Sequence, residues 1–286
     1  MNTDNKINFA FFGTPDVASK TLEILAQAGF MPSIIITSPD RPAGRGMHMA
    51  ETPVSAWAQL HGIRCLKPEK ISEEFIKELE SLGIELSIVV AYGKILPQTL
   101  IDTPTLGTLN IHYSLLPKYR GASPVESALL NGDKVTGISI QQMVYKLDSG
   151  PILANRETSI SLSETKEELR ETLIKLGAET LVEILPKIVN KEIIPTEQDE
   201  SEATHCTKIK KEDAEINVNG DGNVNYNKYR AYAGWPNTYF FVEKAGQKIR
   251  VKITKATYED GSFMIEKVIP EGRKEVAYED FLSSLK

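Results

Sequence analysis

Cysteine is scarce in this chain. Only Cys65 and Cys206 occur among 286 residues, and neither belongs to a C-x-x-C pair. That fits a reducing compartment and argues against a disulfide framework or a structural zinc site. The four histidines are scattered without metal-ligand spacing. No stretch approaches the roughly 18 consecutive apolar residues of a membrane span. The opening segment MNTDNKINFAFFG has no basic stretch followed by an apolar core, so no secretion signal is expected. The glycine fingerprint G-x-G-x-x-G is missing, which speaks against NAD or FAD binding. Ser114 is followed by Leu115 and does not sit in a G-x-S-x-G elbow, so a serine hydrolase is not expected. There is no internal repeat and no low-complexity tract.

What is present is an ordinary globular composition, 41% apolar and 25% charged, enough for one large or two modest domains. The net charge of −6 is unevenly spread. From Cys206 onward there are 14 basic and 12 acidic residues, whereas the preceding part holds 19 basic and 27 acidic. Such asymmetry is a weak pointer to a polyanion partner and is equally compatible with a solvated surface.

Residues 7–12 form an apolar run closed by Gly13-Thr14-Pro15, and Asp16 to Ala28 carries apolar residues at helical spacing. With the next strand at 33–37, the chain opens as a parallel βαβ unit. Residues 38–49, SPDRPAGRGMHM, form a Pro- and Gly-rich loop containing Arg41 and Arg45. It reads either as a solvated loop or as an arm that touches an anionic partner. Helices are predicted over 52–61 and 72–82, the second capped by Ser72. Leu86 to Ala91 is the clearest buried strand. It leaves through Tyr92-Gly93, where a glycine lets a ligand approach the backbone. Strands follow at 107–112, 136–145 and from 151, with helices at 124–130 and 163–188, the latter capped by Ser163. The acidic stretch 190–205 reads as a linker. From Cys206, short aromatic and β-branched runs between Gly and Asp turns predict a small β-barrel or sandwich. On its strand 248–255, Lys248, Arg250 and Lys252 share one face, a basic stripe suited to a nucleic-acid backbone.

The densest chemistry lies in residues 107–124, GTLNIHYSLLPKYRGASP. Asn110 and His112 are two apart on a predicted strand, so an amide and an imidazole project from one face. Ser114-Leu115-Leu116-Pro117 cannot continue a central strand. A histidine alone at a strand end is more often a satisfied structural residue. A second conspicuous run, Leu147-Asp148-Ser149-Gly150, gives it company.

Taken in order, Asn110-Ile111-His112, Ser114-Leu115-Leu116-Pro117, Arg120-Gly121-Ala122-Ser123-Pro124 and Leu147-Asp148-Ser149-Gly150 resemble the folate-dependent formyltransferases. That superfamily carries an N-x-H pair, an SLLP loop and an aspartate in an LD-[TS]-G turn. Within it, Phe12-Gly13-Thr14-Pro15, the loop from Pro39 to Gly46 and the segment from Ala91 to Pro97 are similar to the methionyl-tRNA formyltransferases. The resemblance is dense over residues 7–155. It continues more thinly through Lys208-Ile209-Lys210 and the segment from Tyr229 to Pro236. It departs at Met47-His48-Met49, where the family usually has lysines, and in a shortened C-terminal barrel.

The resemblance implies a Rossmann-like parallel sheet domain over 1–189, the linker, and an OB-like β-barrel over 206–286 that binds tRNA. It implies 10-formyltetrahydrofolate as formyl donor, initiator methionyl-tRNA as acceptor and no metal. It implies catalytic roles for Asn110, His112 and Asp148, and donor binding by Tyr92, Gly93, Ser114, Leu115, Leu116, Pro117 and Met143. Arg41 and Arg45 join the basic stripe as expected tRNA contacts, in a cytoplasmic monomer. In such a site the Asn110 amide would donate to the developing oxyanion, and a carboxylate beside His112 would favour its imidazolium form. Alternatives are a sugar-nucleotide N-formyltransferase, a 10-formyltetrahydrofolate hydrolase and a non-catalytic RNA-binding protein. The first would need a nucleotide-sugar pocket. The second would release formate without an acceptor.

Overall fold

Short runs of β-branched and aromatic residues, separated by amphipathic helices, build a seven-stranded sheet in the computed structural model, which describes residues 7–43, 48–244 and 246–285. Its strands are Phe9–Gly13 (β1), Ile34–Ile36 (β2), Cys65–Leu66 (β3), Leu86–Val90 (β4), Thr108–His112 (β5), Val135–Gln142 (β6) and Ile152–Ser159 (β7). Their order is β7-β6-β5-β4-β1-β2-β3. Strands β5, β4, β1, β2 and β3 run parallel, each to its neighbours. Strand β6 joins β5 antiparallel, so the mostly parallel sheet turns mixed beside the Asn-x-His strand.

β1 and β4 are buried at every position, as strands covered on both faces must be. Gly13 ends β1 because nothing larger fits: a Cβ there would lie 2.5 Å from that of Ala18 in the following helix, Asp16–Gln27. One core cluster joins Ala10, Phe12, Ile34, Ile36, Val89 and Leu79 to Tyr92, Leu96 and Ile101, with Met143 packed against it.

By internal contacts the chain divides into two units. The first comprises residues 1–120, 137–158 and 172–204, and the second 121–136, 159–171 and 205–286. That grouping is interleaved, where the sequence pointed to a linear split around 190–205. Helix Pro124–Leu130 packs against helix Gly222–Ala231 and so belongs with the C-terminal part.

The second unit carries an antiparallel sheet of Tyr239–Lys244 (β8), Gln247–Glu259 (β9), Ser262–Pro270 (β10) and Val276–Ala277 (β11), paired in that order. The C-terminal β domain is thus a four-stranded meander. Phe240, Val251, Ile253, Val268 and Phe281 form its core.

Three local readings change. Within the stretch read as a loop at 38–49, Arg41–Ala43 and His48–Ala50 are antiparallel strands, paired from Arg41 with Ala50 to Ala43 with His48. Proline had disguised a short edge strand as a loop. The long helix spans Lys166–Val189, and the residue before it, Thr165, replaces Ser163 as its cap. The Thr165 backbone N–H and hydroxyl both donate to Glu168 Oε2 at 2.8 Å. The stretch 190–205 is no free tether: Thr196 pairs with Ile152, and Thr204 N–H donates to the Pro117 carbonyl at 3.2 Å.

Candidate active site

Strand β5 is buried on both faces, with Asn110 the one residue of the five that is not buried. Asn110 stands opposite Gln141 of β6, and His112 opposite Ser139. Asn110 and His112 therefore share a face at the junction of the parallel and antiparallel parts of the sheet.

His112 is only 5% exposed. Its Nε2 lies 2.9 Å from the carbonyl oxygen of Tyr119. A carbonyl only accepts, so Nε2 carries the proton and Nδ1 is left as the second, titrating nitrogen. Nδ1 faces Asp148 Oδ2 at 3.7 Å. Asp148 belongs to no regular element. It sits at φ +49 in the turn after β6, and the amide of Gln141 donates to its Oδ1 at 3.1 Å. Gly150 follows closely: a Cβ there would meet the Gln142 carbonyl oxygen at 1.8 Å.

Burial lowers the pKa of His112 and outweighs the opposing effects of the Asp148 carboxylate and the Tyr119 carbonyl. The expected influence of the carboxylate is present, and burial is the opposing effect that prevails. Removing the ring from water penalises its charged state more than the Asp148 carboxylate at 3.7 Å favours it.

The segment Ser114-Leu115-Leu116-Pro117 is held from beneath by Ser139. The Ser139 hydroxyl donates to the Ser114 carbonyl at 2.8 Å and accepts from the Leu116 N–H at 2.9 Å. Ser114 and Leu116 are buried, and the Ser114 hydroxyl is bonded to the Lys118 carbonyl. Leu115 packs on Gly137 of β6. The side chains of Ser114 and Leu116 thus shape the loop from inside, while Pro117 is half-buried. Tyr92 is a buried member of the core cluster against which the partly buried Met143 packs. Among the described residues the buried Tyr92 hydroxyl has no hydrogen-bond partner, and burial pushes its pKa up to about 12. The Tyr92 carbonyl accepts from the Thr14 hydroxyl at 3.1 Å, anchoring the loop that exposes Gly93 and Ile95.

Of the expected nucleic-acid contacts, Arg45 lies outside the described residues, and Arg41 is exposed on its short strand in the first unit. In the second unit Lys248, Arg250 and Lys252 face Glu243, Phe241 and Tyr239 across the β8–β9 ladder. The Lys248 ammonium lies 3.9 Å from the centroid of Phe241, and the Arg250 guanidinium 3.7 Å from that of Tyr239.

Sequence reasoning missed Tyr119, Ser139 and Gln141. Tyr119 acts through its backbone at φ +59, which leaves no side-chain signal. The two others are polar residues at buried strand positions, where an alternation that tracks only apolar residues does not single them out.

The formyl transferase family model matches residues 5–185, and the model of the formyl transferase C-terminal domain matches residues 208–263. A methionyl-tRNA formyltransferase of Thermodesulfovibrio yellowstonii is 37% identical over 96% of this chain and 95% of its own. One from Thermotoga maritima is 41% identical over 90% of this chain and 81% of its own. A solved N-formyltransferase of Helicobacter canadensis, crystallised with folinic acid and dTDP-3-aminofucose, covers 95% of this chain and 98% of its own with a TM-score of 0.64. At 18% identity that likeness concerns the fold alone, so the fold does not distinguish sugar from tRNA acceptors and the sequence relationship does. The chain belongs to the formyl transferase family and, within it, to the methionyl-tRNA formyltransferases.

Proposed function

We propose that this chain transfers the formyl group of 10-formyltetrahydrofolate to the amino group of methionine on initiator methionyl-tRNA, with Asn110, His112 and Asp148 as its catalytic residues. The observation that carries the reading is the state of His112. Its Nε2–H is spent on Tyr119, and its Nδ1 faces Asp148 on the same side as Asn110.

Formyl transfer needs a neutral amine, a donor to the oxygen that gains charge, and a group that moves one proton from the amine to the departing nitrogen. Asn110, open on its strand, supplies the donor through its amide NH₂. Neutral His112 takes the amine proton at Nδ1, and the imidazolium so formed is stabilised by Asp148 Oδ2. The same Nδ1–H then protonates the departing nitrogen, so the proton count closes and His112 returns to its resting form.

The partly buried Met143, backed by the buried core residues Tyr92 and Leu96, is the apolar side chain proposed to meet the flat ring system of the folate. Gly93, Leu115, Pro117 and Met143 are the members of the expected donor-binding set that are not buried. Arg41, Arg45 and the Lys248–Arg250–Lys252 stripe are the proposed tRNA contacts, in a cytoplasmic enzyme.

The test is incubation with 10-formyltetrahydrofolate and, separately, methionyl-initiator tRNA, uncharged tRNA, a dTDP-aminosugar or no acceptor. Formyl-methionine that appears only with the charged tRNA is the expected result. Formylated sugar, or formate released without any acceptor, overturns it.

A further inference from the structure

We propose that Gln198 is a positioning residue that sets the Asp148 turn in register with the carbonyl holding His112. The inference rests on the His112–Asp148 reading above. Gln198 lies in the acidic stretch 190–205, yet its carboxamide is fully used. Its NH₂ donates to the Asp148 carbonyl at 3.0 Å and to the Gly150 carbonyl at 2.7 Å. Its Oε1 accepts from Arg120 Nε at 3.0 Å and Nη2 at 2.8 Å.

An amide has two donors and one twice-accepting oxygen, and here each has a partner. Rotating the amide by half a turn would set its oxygen against two carbonyls and its NH₂ against a guanidinium, so one orientation is enforced. One of the two carbonyls belongs to the left-handed Asp148 itself and the other to Gly150, two residues further on. A non-glycine residue at positive φ persists only where its surroundings over-determine it, and Gln198 supplies part of that determination.

The other end of the bridge is as firm. The Arg120 side chain is fully buried. It follows Tyr119 directly, whose carbonyl sets the tautomer of His112. Arg120 Nη2 also donates to Glu200 Oε1 at 2.9 Å, and the Arg120 backbone N–H donates to the Thr204 carbonyl at 2.9 Å. Gln198 thereby connects two backbone segments, one carrying Asp148 and one orienting His112, that are otherwise distant in sequence. Gln141 fixes the Asp148 carboxylate from the sheet side. Gln198 fixes its main chain from the opposite end of the chain segment.

The charged group that acts on His112 is Asp148, so displacing the turn removes the influence that raises the His112 pKa and lowers its titration midpoint further. Loss of a merely structural contact would not move that midpoint. The experiment follows the His112 ring by NMR through a pH titration in the full-length protein, for wild type, Gln198→Met, Gln198→Glu and Asp148→Asn. Gln198→Met keeps the length without either function of the amide. Gln198→Glu keeps the acceptor for Arg120 and loses both donors, which provides a second folded variant. Both are expected to move the midpoint to lower pH, in the direction of Asp148→Asn, and to lower kcat on the order of tenfold with donor KM little changed. A wild-type midpoint in a folded Gln198 variant overturns the inference while leaving the catalytic reading intact. A midpoint that ignores Asp148→Asn defeats the catalytic reading itself.

Discussion

His112 and Arg250 both stand on strands and both can carry positive charge, yet the two regions treat that charge in opposite ways. Around His112 water is excluded, the ring is bonded to a carbonyl, and burial pushes it toward neutrality. On β9 Arg250 is half-buried, with its guanidinium 3.7 Å from the centroid of Tyr239, and a guanidinium keeps its charge in such a setting. The first arrangement suits the proton exchange proposed for His112, and the second presents a permanent cation. A buried polar site concentrates its effects in a few atoms, because each unmet hydrogen bond there is expensive. A partly solvated ladder distributes small contributions that salt can screen.

The largest effects should therefore come from the buried site. Asn110→Ala, His112→Ala and Asp148→Asn are each expected to lower kcat by about two powers of ten or more, since one oxyanion donor is worth roughly 2.7–4 kcal/mol. Steady-state formylation of methionyl-tRNA, with melting curves as a control for folding, measures this. Near-normal turnover in all three would dissolve the contrast. Gly150→Ala should come next, because the added methyl meets a backbone carbonyl and the Asp148 turn must open. Activity should fall by at least about tenfold, together with a lowered Tm.

The pH dependence has a sign that follows from burial. The folded pKa of His112 lies below its ordinary 6.5. Below that ordinary value the unfolded chain binds more protons at this residue than the folded one, so its contribution to stability falls as the pH drops toward the folded pKa. The acid limb of kcat/KM should likewise lie below pH 6.5, as loss of the neutral base. Chemical denaturation across pH 5 to 7 should show a flatter profile for His112→Gln. A limb above 6.5 would restore the resting imidazolium.

Legibility in the sequence follows the same division. Period-two alternation placed Asn110 and His112 on one face, and motif resemblance supplied Asp148. Neither weighs burial against a neighbouring charge, so the raising influence of Asp148 was legible and the larger, lowering influence of burial was not. Tyr119 is invisible because its contribution is a carbonyl. Gln198 is invisible for a different reason: a polar, acidic stretch looks like a tether to any pattern built on apolar residues, and only its bonds to Asp148, Gly150 and Arg120 show otherwise. On β9 the shared face of Lys248, Arg250 and Lys252 was legible, but their aromatic supports were not, since those come from the neighbouring strand in a register that only pairing reveals.

The smallest effect belongs to that ladder. Arg250→Ala removes one cation and uncovers the face of Tyr239, which should weaken tRNA binding modestly and leave kcat at saturating tRNA unchanged. If the stripe meets phosphates, each cation lost should reduce the slope of log affinity against log salt by about one. Arg250→Lys is the informative companion. It keeps the charge but loses the planar stacking, so it should retain the salt slope while the melting temperature falls slightly. An unchanged slope in Arg250→Ala would mean that the cation stabilises the sheet through Tyr239 and takes no part in holding the polyanion, and the two regions would then differ in burial alone.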